Sequence, residues 1–269
     1  MTASNRSVGA PSDAAALFAD LAGIGPFFAV GTGEPPGRGW VPVGALGDPR
    51  GPLTDRIDAV GVALGTGYQK IETGGPGETV RSSSRRRSPS SVRVAASIAF
   101  QGVAAQVVAP LFAAAAVHGA LPDGPVAPAL LWRPGGAGPW LWWRDGPGPV
   151  VACPGGGRLG ELVTALLSPV VAAVRARVAV AERVLWGNVA SSVASARRLV
   201  AAARPDAAVR SAAVARLLLT TAPLAATTIL RDPVPPDVGW TFHRRSCCLY
   251  YRVPDGGTCG DCVLRRPVG

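Results

Sequence analysis

The stretch from Val94 to Pro122, VAASIAFQGVAAQVVAPLFAAAAVHGALP, contains no formally charged residue, and its reading decides the architecture. A membrane-spanning helix needs about 20 predominantly apolar residues, so length alone permits one. Composition argues the other way. Most of the apolar content is Ala, which adds little to insertion, and Gln101, Gln106, Pro110 and His118 interrupt it. Each amide is costly in hydrocarbon. Ser97 and Gln101 are four apart and share one helix face. The stretch therefore predicts a buried helix of a soluble, cytoplasmic protein, with at most a peripheral contact with the inner membrane face. Upstream, Arg6 is the one early basic residue, and Asp13 and Asp20 break the apolar run after it, so no secretory signal is read there.

Outward from this helix the chain alternates helical and irregular segments. Asp13 to Leu21 reads as a short helix followed by Gly/Pro-rich chain. Gly74 to Ser91 is a loop by composition, carrying Arg85, Arg86 and Arg87. No aromatic residues interleave with those arginines to stack on bases, so a solvated loop is expected and a nucleic-acid partner is not. Ala129–Arg133 and Trp140–Arg144 read as strands around the turn Pro134–Gly138. Trp132, Trp140 and Trp142 would face one side and Trp143 the other, the hairpin packing on helices rather than offering a flat wall to a ligand. Leu159 to Thr220 reads helical, with Pro169 kinking or dividing it and Pro205-Asp206 starting its last part. Arg231 to Gly239 is a Pro-rich connector. The expected fold class is α+β, mostly helical: a body over 1–228 with a flexible loop at 74–91, a connector over 229–239, and a cysteine-rich module over 240–269.

Composition limits the classes available. With 48% apolar residues the chain can bury a core. Gly (34) and Pro (26) together stay below the level at which low complexity becomes the default reading. Basic residues outnumber acidic ones 27 to 17, for a net charge of +10, and Lys70 is the only lysine. Ala, Gly, Pro, Val and Arg dominate throughout, as high-GC coding produces. The charge permits an anionic partner without choosing one.

Gly155-Gly-Gly-Arg-Leu-Gly160 matches G-x-G-x-x-G, but a dinucleotide site also needs a βαβ unit and an acidic residue about 20 positions on. Helices follow instead, and Arg175 stands near where the acid belongs, so a glycine-rich helix start is expected. Only His118 and His243 are available for histidine chemistry, and His118 reads as a core or helix-end residue. The C-terminus carries a stronger signal. Four of the five cysteines, Cys247, Cys248, Cys259 and Cys262, are written C-C-x10-C-x2-C. Clustered thiols in a reducing compartment point to a metal. Leu249 to Val253 can run out as a strand, Pro254 to Gly257 turn it, and Gly260 lets Cys259 and Cys262 face one centre. Structural zinc prefers two C-x(2–4)-C knuckles around one ion, and adjacent cysteines chelate a single small ion awkwardly. A two-iron cluster spreads four thiolates over two metals. Spacing favours iron–sulfur and leaves zinc open, as in a binding module that contacts nucleic acid or protein.

The segment RRSCCLYYRVPDGGTCGDC, Arg244 to Cys262, resembles the C-terminal signature of FhuF-like ferric-siderophore reductases. Leu185-Trp-Gly-Asn188 and the hairpin before it are similar to that family more weakly. The resemblance implies a [2Fe-2S] cluster on Cys247, Cys248, Cys259 and Cys262. It also implies one-electron reduction of Fe(III) in a ferric siderophore, with electrons from an external ferredoxin or NAD(P)H-dependent reductase. A redox or iron sensor, or an electron carrier, shares the same ligands. Such a centre carries a formal charge of about −2 oxidised and about −3 reduced. Arg244, Arg245, Arg252, Arg265 and Arg266 are placed to offset that charge or to attract an anionic chelate. Cys153, outside the signature, reads as a buried small apolar residue.

Overall fold

The computed structural model describes residues 11–65, 89–135, 138–144, 146 and 148–265. Most of the 74–91 loop with Arg85, Arg86 and Arg87, the centre of the Pro134–Gly138 turn, and Arg266 lie outside the described residues.

Helix α1 (Ala14–Leu21) is started by Asp13, whose carboxylate accepts the Ala16 amide at 2.9 Å. Helix α2 (Pro52–Ala63) begins with proline at its first position, where no amide donor is needed. The uncharged stretch forms most of α3 (Pro89–Ala113). Its side chains from Val94 to Ala116 are buried almost all round, including Phe100, Val107 and Phe112 at 0% exposure. A helix without a polar face belongs inside a core, and this one packs on α2, on α5 (Gly157–Arg177) and most extensively on α6 (Glu182–Ala203). The buried-helix expectation holds.

Past α3 the chain widens into one π-turn, Ala114–His118, which ends at Gly119 in the left-handed region (φ 63°). Arg210, on α7 (Ala208–Thr220), donates to the carbonyls of Ala116 and Val117 that this turn leaves over. His118 meets Asp20 at 2.9 Å, the helix-end role expected of it.

Among the described residues the strands form three small sheets. β1 (Val30–Thr32), β2 (Val41–Pro42), β4 (Leu130–Trp132) and β5 (Leu141–Trp143) lie in the order β1-β5-β4-β2, with β1 parallel to β5. β3 (Ala120–Pro122) pairs antiparallel with β6 (Val150–Ala152). β4 and β5 make the expected hairpin, but the faces differ from expectation. Trp132 lies opposite Leu141 and Trp143 opposite Leu130, so Trp132 and Trp143 share the core face at 0% and 1% exposure. Trp142 is on the other side. Its indole lies over Gly31, where a Cβ would come within 2.1 Å of the ring, and its N–H donates to the Gly33 carbonyl. Trp40 covers it at 5.4 Å between ring centroids. The expected grouping of Trp132 with Trp142 is one residue out, because the register sets Trp132 opposite Leu141 and Trp142 opposite Leu131.

Gly155–Gly160 leads into α5 as a glycine-rich start, with Gly155 and Gly156 both at positive φ. The strand before it, β6, pairs antiparallel with β3, so no βαβ unit forms there. Pro169 sits inside α5 without dividing it, and Pro205-Asp206 opens the turn before α7. The observed class is α+β and mostly helical, with cysteines gathered near the C-terminus.

Candidate metal centre

β7 (Thr228–Arg231) and β8 (Thr241–Arg244) form an antiparallel hairpin whose second strand lies against α6 and delivers the chain to the cysteines. The connector between them is held by charge. Asp237, 8% exposed, accepts from Arg197 at 3.1 Å and Arg198 at 2.8 Å, both on α6. Arg198 also reaches Asp261, between Cys259 and Cys262, at 3.0 Å, and Ser191 donates to the same carboxylate at 3.1 Å. Burial works against the Asp237 charge, yet the hydrogen bonds and charges of Arg198 and Arg197 outweigh it and hold the carboxyl below its usual range.

Beyond β8 the backbone bends on α6 at a point that demands glycine. A Cβ on Gly187 would lie 2.4 Å from Ser246 Oγ and 3.1 Å from an Arg244 guanidinium nitrogen. Ser246 donates to the Arg183 carbonyl at 2.9 Å. Asn188, fully buried, donates to the Ser97 carbonyl at 2.9 Å and hydroxyl at 3.1 Å, and accepts from Arg244 at 2.5 Å. Ser97 in turn donates to the Cys248 carbonyl at 2.8 Å. A chain of hydrogen bonds thus runs from the centre of α3, through α6, to the cysteine pair. Sequence reading noted Leu185-Trp-Gly-Asn188 without giving Gly187, Asn188 or Ser97 these roles. The available signal was a glycine and an amide side by side in an apolar helix.

The four thiols lie on two short pieces of chain. Cys248 and Cys262 are buried, Cys247 and Cys259 half-buried, and none is in a disulfide. Cys248 and Cys259 sulfurs are 3.7 Å apart. The Leu249 amide donates to Cys247 Sγ at 3.3 Å and the Leu264 amide to Cys262 Sγ at 3.4 Å. Leu249 takes a left-handed conformation (φ 70°), and Tyr250–Arg252 form a 3-10 turn. The strand expected over Leu249–Val253 is therefore absent: the left-handed residue turns amides towards sulfur instead of along a ladder. The turn at Pro254–Gly257 is present, with Gly256 needed because a Cβ there would lie 2.8 Å from the Tyr250 carbonyl. Gly260 has ordinary φ and open space around it, so its lack of a side chain is not what brings Cys259 and Cys262 round. That turn is closed by the Cys262 amide on the Cys259 carbonyl and tied to β8 by the Arg244 amide on the Asp261 carbonyl.

Cys248 is lowered to about 6, first by its hydrogen bond with Cys259, then, against the cost of burial, by the Tyr250 amide and the Arg244 charge. Cys259 is raised, chiefly by that same bond and then by burial. Burial raises Cys247. The cationic residues expected around the centre separate clearly. Arg244 is 1% exposed, and its charge acts on Cys247, Cys248 and Cys259. Arg245 donates to the Thr228 carbonyl and braces the hairpin. Arg252 is exposed beside Tyr251 and interacts electrostatically with Cys247, and Arg265 closes the loop on Thr258. Cys153 is buried at 2% exposure, as expected.

Among the described residues no group of three or more His, Cys, Asp or Glu side chains is gathered tightly enough for one metal ion. The donor set nevertheless fits an iron–sulfur cluster. Four thiols, backbone amides aimed at sulfur, and a buried cation with a free N–H are what a polynuclear thiolate centre requires.

Residues 244–264 match the family model described as the FhuF 2Fe-2S C-terminal domain, which contains all four cysteines. No curated protein and no solved structure matches the chain. Over those residues the C-terminal module is similar to a 2Fe-2S domain of the FhuF kind.

Proposed function

We propose that this protein reduces Fe(III) to Fe(II) in cytoplasmic ferric siderophores, with Cys247, Cys248, Cys259 and Cys262 holding a [2Fe-2S] cluster. The observation that carries the reading is the match of the thiol-bearing segment to a 2Fe-2S domain, in a fold that leaves two of those thiols half-buried and two buried. A bound [2Fe-2S] cluster supplies one-electron chemistry.

The chain's own residues divide the remaining work. Cys248 and Cys262 anchor the inner side of the centre, while Cys247 and Cys259 mark the half-exposed edge that a substrate can approach. Arg252 and Arg265 flank that edge as solvent-facing cations suited to an anionic chelate. The substrate's Fe(III) gains one electron, and the hard oxygen ligands of the chelator hold the resulting Fe(II) far less tightly, so iron leaves and the chelator survives. The electron comes from a separate ferredoxin or NAD(P)H-dependent reductase, because the one dinucleotide-like glycine run, Gly155–Gly160, follows an antiparallel strand and only starts a helix.

The test is anaerobic. Protein reduced with dithionite and freed of excess reductant is mixed with a ferric hydroxamate and an Fe(II) trap. Reoxidation of the protein matched one-for-one by trapped Fe(II) is expected. Protein that stays reduced with hydroxamate, catecholate and citrate chelates alike would contradict the reading.

A further inference from the structure

Arg244 is an unusual arginine. Its side chain is 1% exposed, yet its anchors are neutral: Asn188 Oδ1 at 2.5 Å, the Ser246 carbonyl at 3.0 Å and the Val184 carbonyl at 3.4 Å. Its Nη1 has no partner among the described residues. The nearby carboxylate, Asp261, is taken by Arg198 and Ser191. A buried cation without an anion is strongly destabilising. Such a side chain persists only where negative charge is supplied from elsewhere, and its contacts lead to the thiols: its guanidinium holds the Ser246 carbonyl next to Cys247, its amide holds the Asp261 carbonyl between Cys259 and Cys262, and Asn188 and Ser97 link it to the Cys248 carbonyl.

We infer that Arg244 is the fixed counter-charge of the thiolate centre and sets its reduction potential, with Asn188 and Gly187 as the residues that position it. The inference rests on the cluster reading above and gives one arginine of the five a role distinct from the rest. Reduction adds one negative charge to a centre that is already anionic. A guanidinium held in low dielectric beside the chain that carries the thiols favours the reduced form far more than exposed Arg252 or Arg265, whose charges water screens. Asn188 fixes the guanidinium plane through a hydrogen bond at one end and is itself locked to Ser97 at the other. Gly187 leaves the space that Ser246 Oγ and, beside it, the guanidinium occupy.

The measurement is the midpoint potential, by EPR-monitored reductive titration of anaerobically purified protein, with iron and sulfide determined first. Arg244→Gln is expected to lower the reduced-to-oxidised ratio at a fixed ambient potential at least tenfold, equivalent to about 59 mV for one electron. Arg244→Lys keeps the charge but not the fork, and should recover most of the loss. Arg252→Gln should shift the ratio less than twofold. If Arg244→Gln does not load, Gly187→Ala decides, since its methyl would lie 2.4 Å from Ser246 Oγ and 3.1 Å from the guanidinium, so that Ser246, whose carbonyl holds the guanidinium, must move with it while the charge stays in the chain; a shift of the same sign is expected. A loaded Arg244→Gln or Gly187→Ala protein with an unchanged midpoint would overturn the inference and leave the cluster assignment standing. Wild-type protein without iron and sulfide would overturn both.

Discussion

Each thiol of the candidate centre meets a different environment, and the differences can be measured before any metal is added. Cys248 is lowered to about 6 by its hydrogen bond with Cys259, with the Tyr250 amide and Arg244 assisting. A metal-free chain should therefore show about one thiolate by ultraviolet absorbance at neutral pH. That absorbance should fall as pH drops through about 6 and be missing in Cys248→Ser. Thiolate absorbance that appears only near the ordinary thiol range, above about pH 8, would contradict this placement. In the loaded protein, Cys259→Ser is expected to bleach or destabilise the cluster; an unchanged visible spectrum and iron content would remove Cys259 from the ligand set. The cysteines were legible in the sequence because their spacing is local. Asn188 and Ser97 were not, because their partners lie 91 residues apart and only the packing of α3 on α6 brings them together.

At the level of elements, the C-terminal hairpin is clamped to α6 by a pair of arginines and a pair of aspartates. Asp237→Asn leaves Arg197, at 4% side-chain exposure, without its anion. Breaking a buried pair in this way costs roughly 3–5 kcal/mol. For a chain of this size that corresponds to a Tm lower by about 10 °C. A melt within a degree or two of wild type would show that the connector contributes little. The pH dependence has a definite sign. Because the Asp237 carboxyl is depressed in the folded state, its contribution is complete above the unfolded carboxyl range and is lost as pH falls through the lowered value. Wild type should thus lose this share of stability in acid, while Asp237→Asn, already lacking it, should respond less there. The elements themselves were largely readable: the capped first helix, the Trp-rich hairpin, the glycine-rich start of α5 and the proline start before α7. Side-chain faces were less so. The hairpin's alternation slipped by one residue, and Leu249–Val253 became a turn because the Leu249 amide goes to sulfur and the Arg252 and Val253 amides close back on the Leu249 and Tyr250 carbonyls.

On the scale of the molecule, the uncharged helix is the member around which the others assemble. Among the described residues two helices, Ser91–His118 and Pro154–Arg177, are long and apolar enough to cross a membrane, but 78% of the first one's most apolar window is buried inside the fold. Expressed without detergent, the protein is expected in the supernatant after ultracentrifugation; recovery only from membranes would contradict a core role for α3. A net charge of +10 has a kinetic consequence too. Reduction of an anionic ferric chelate should slow on the order of tenfold as ionic strength rises from low to above physiological, and that of a neutral chelate should not. Fold class followed from composition and periodicity, whereas the seating of the cysteine module on α3 and α6 depends on contacts distant in sequence. The central claim, that the C-terminal thiols hold a two-iron cluster, is open to one direct measurement. Iron, zinc and acid-labile sulfide are determined on anaerobically purified protein, with an EPR spectrum after dithionite. About two irons and two sulfides per chain, with a half-integer-spin signal that appears on reduction, are expected. One zinc and no sulfide, in protein made with ample iron, would contradict the account.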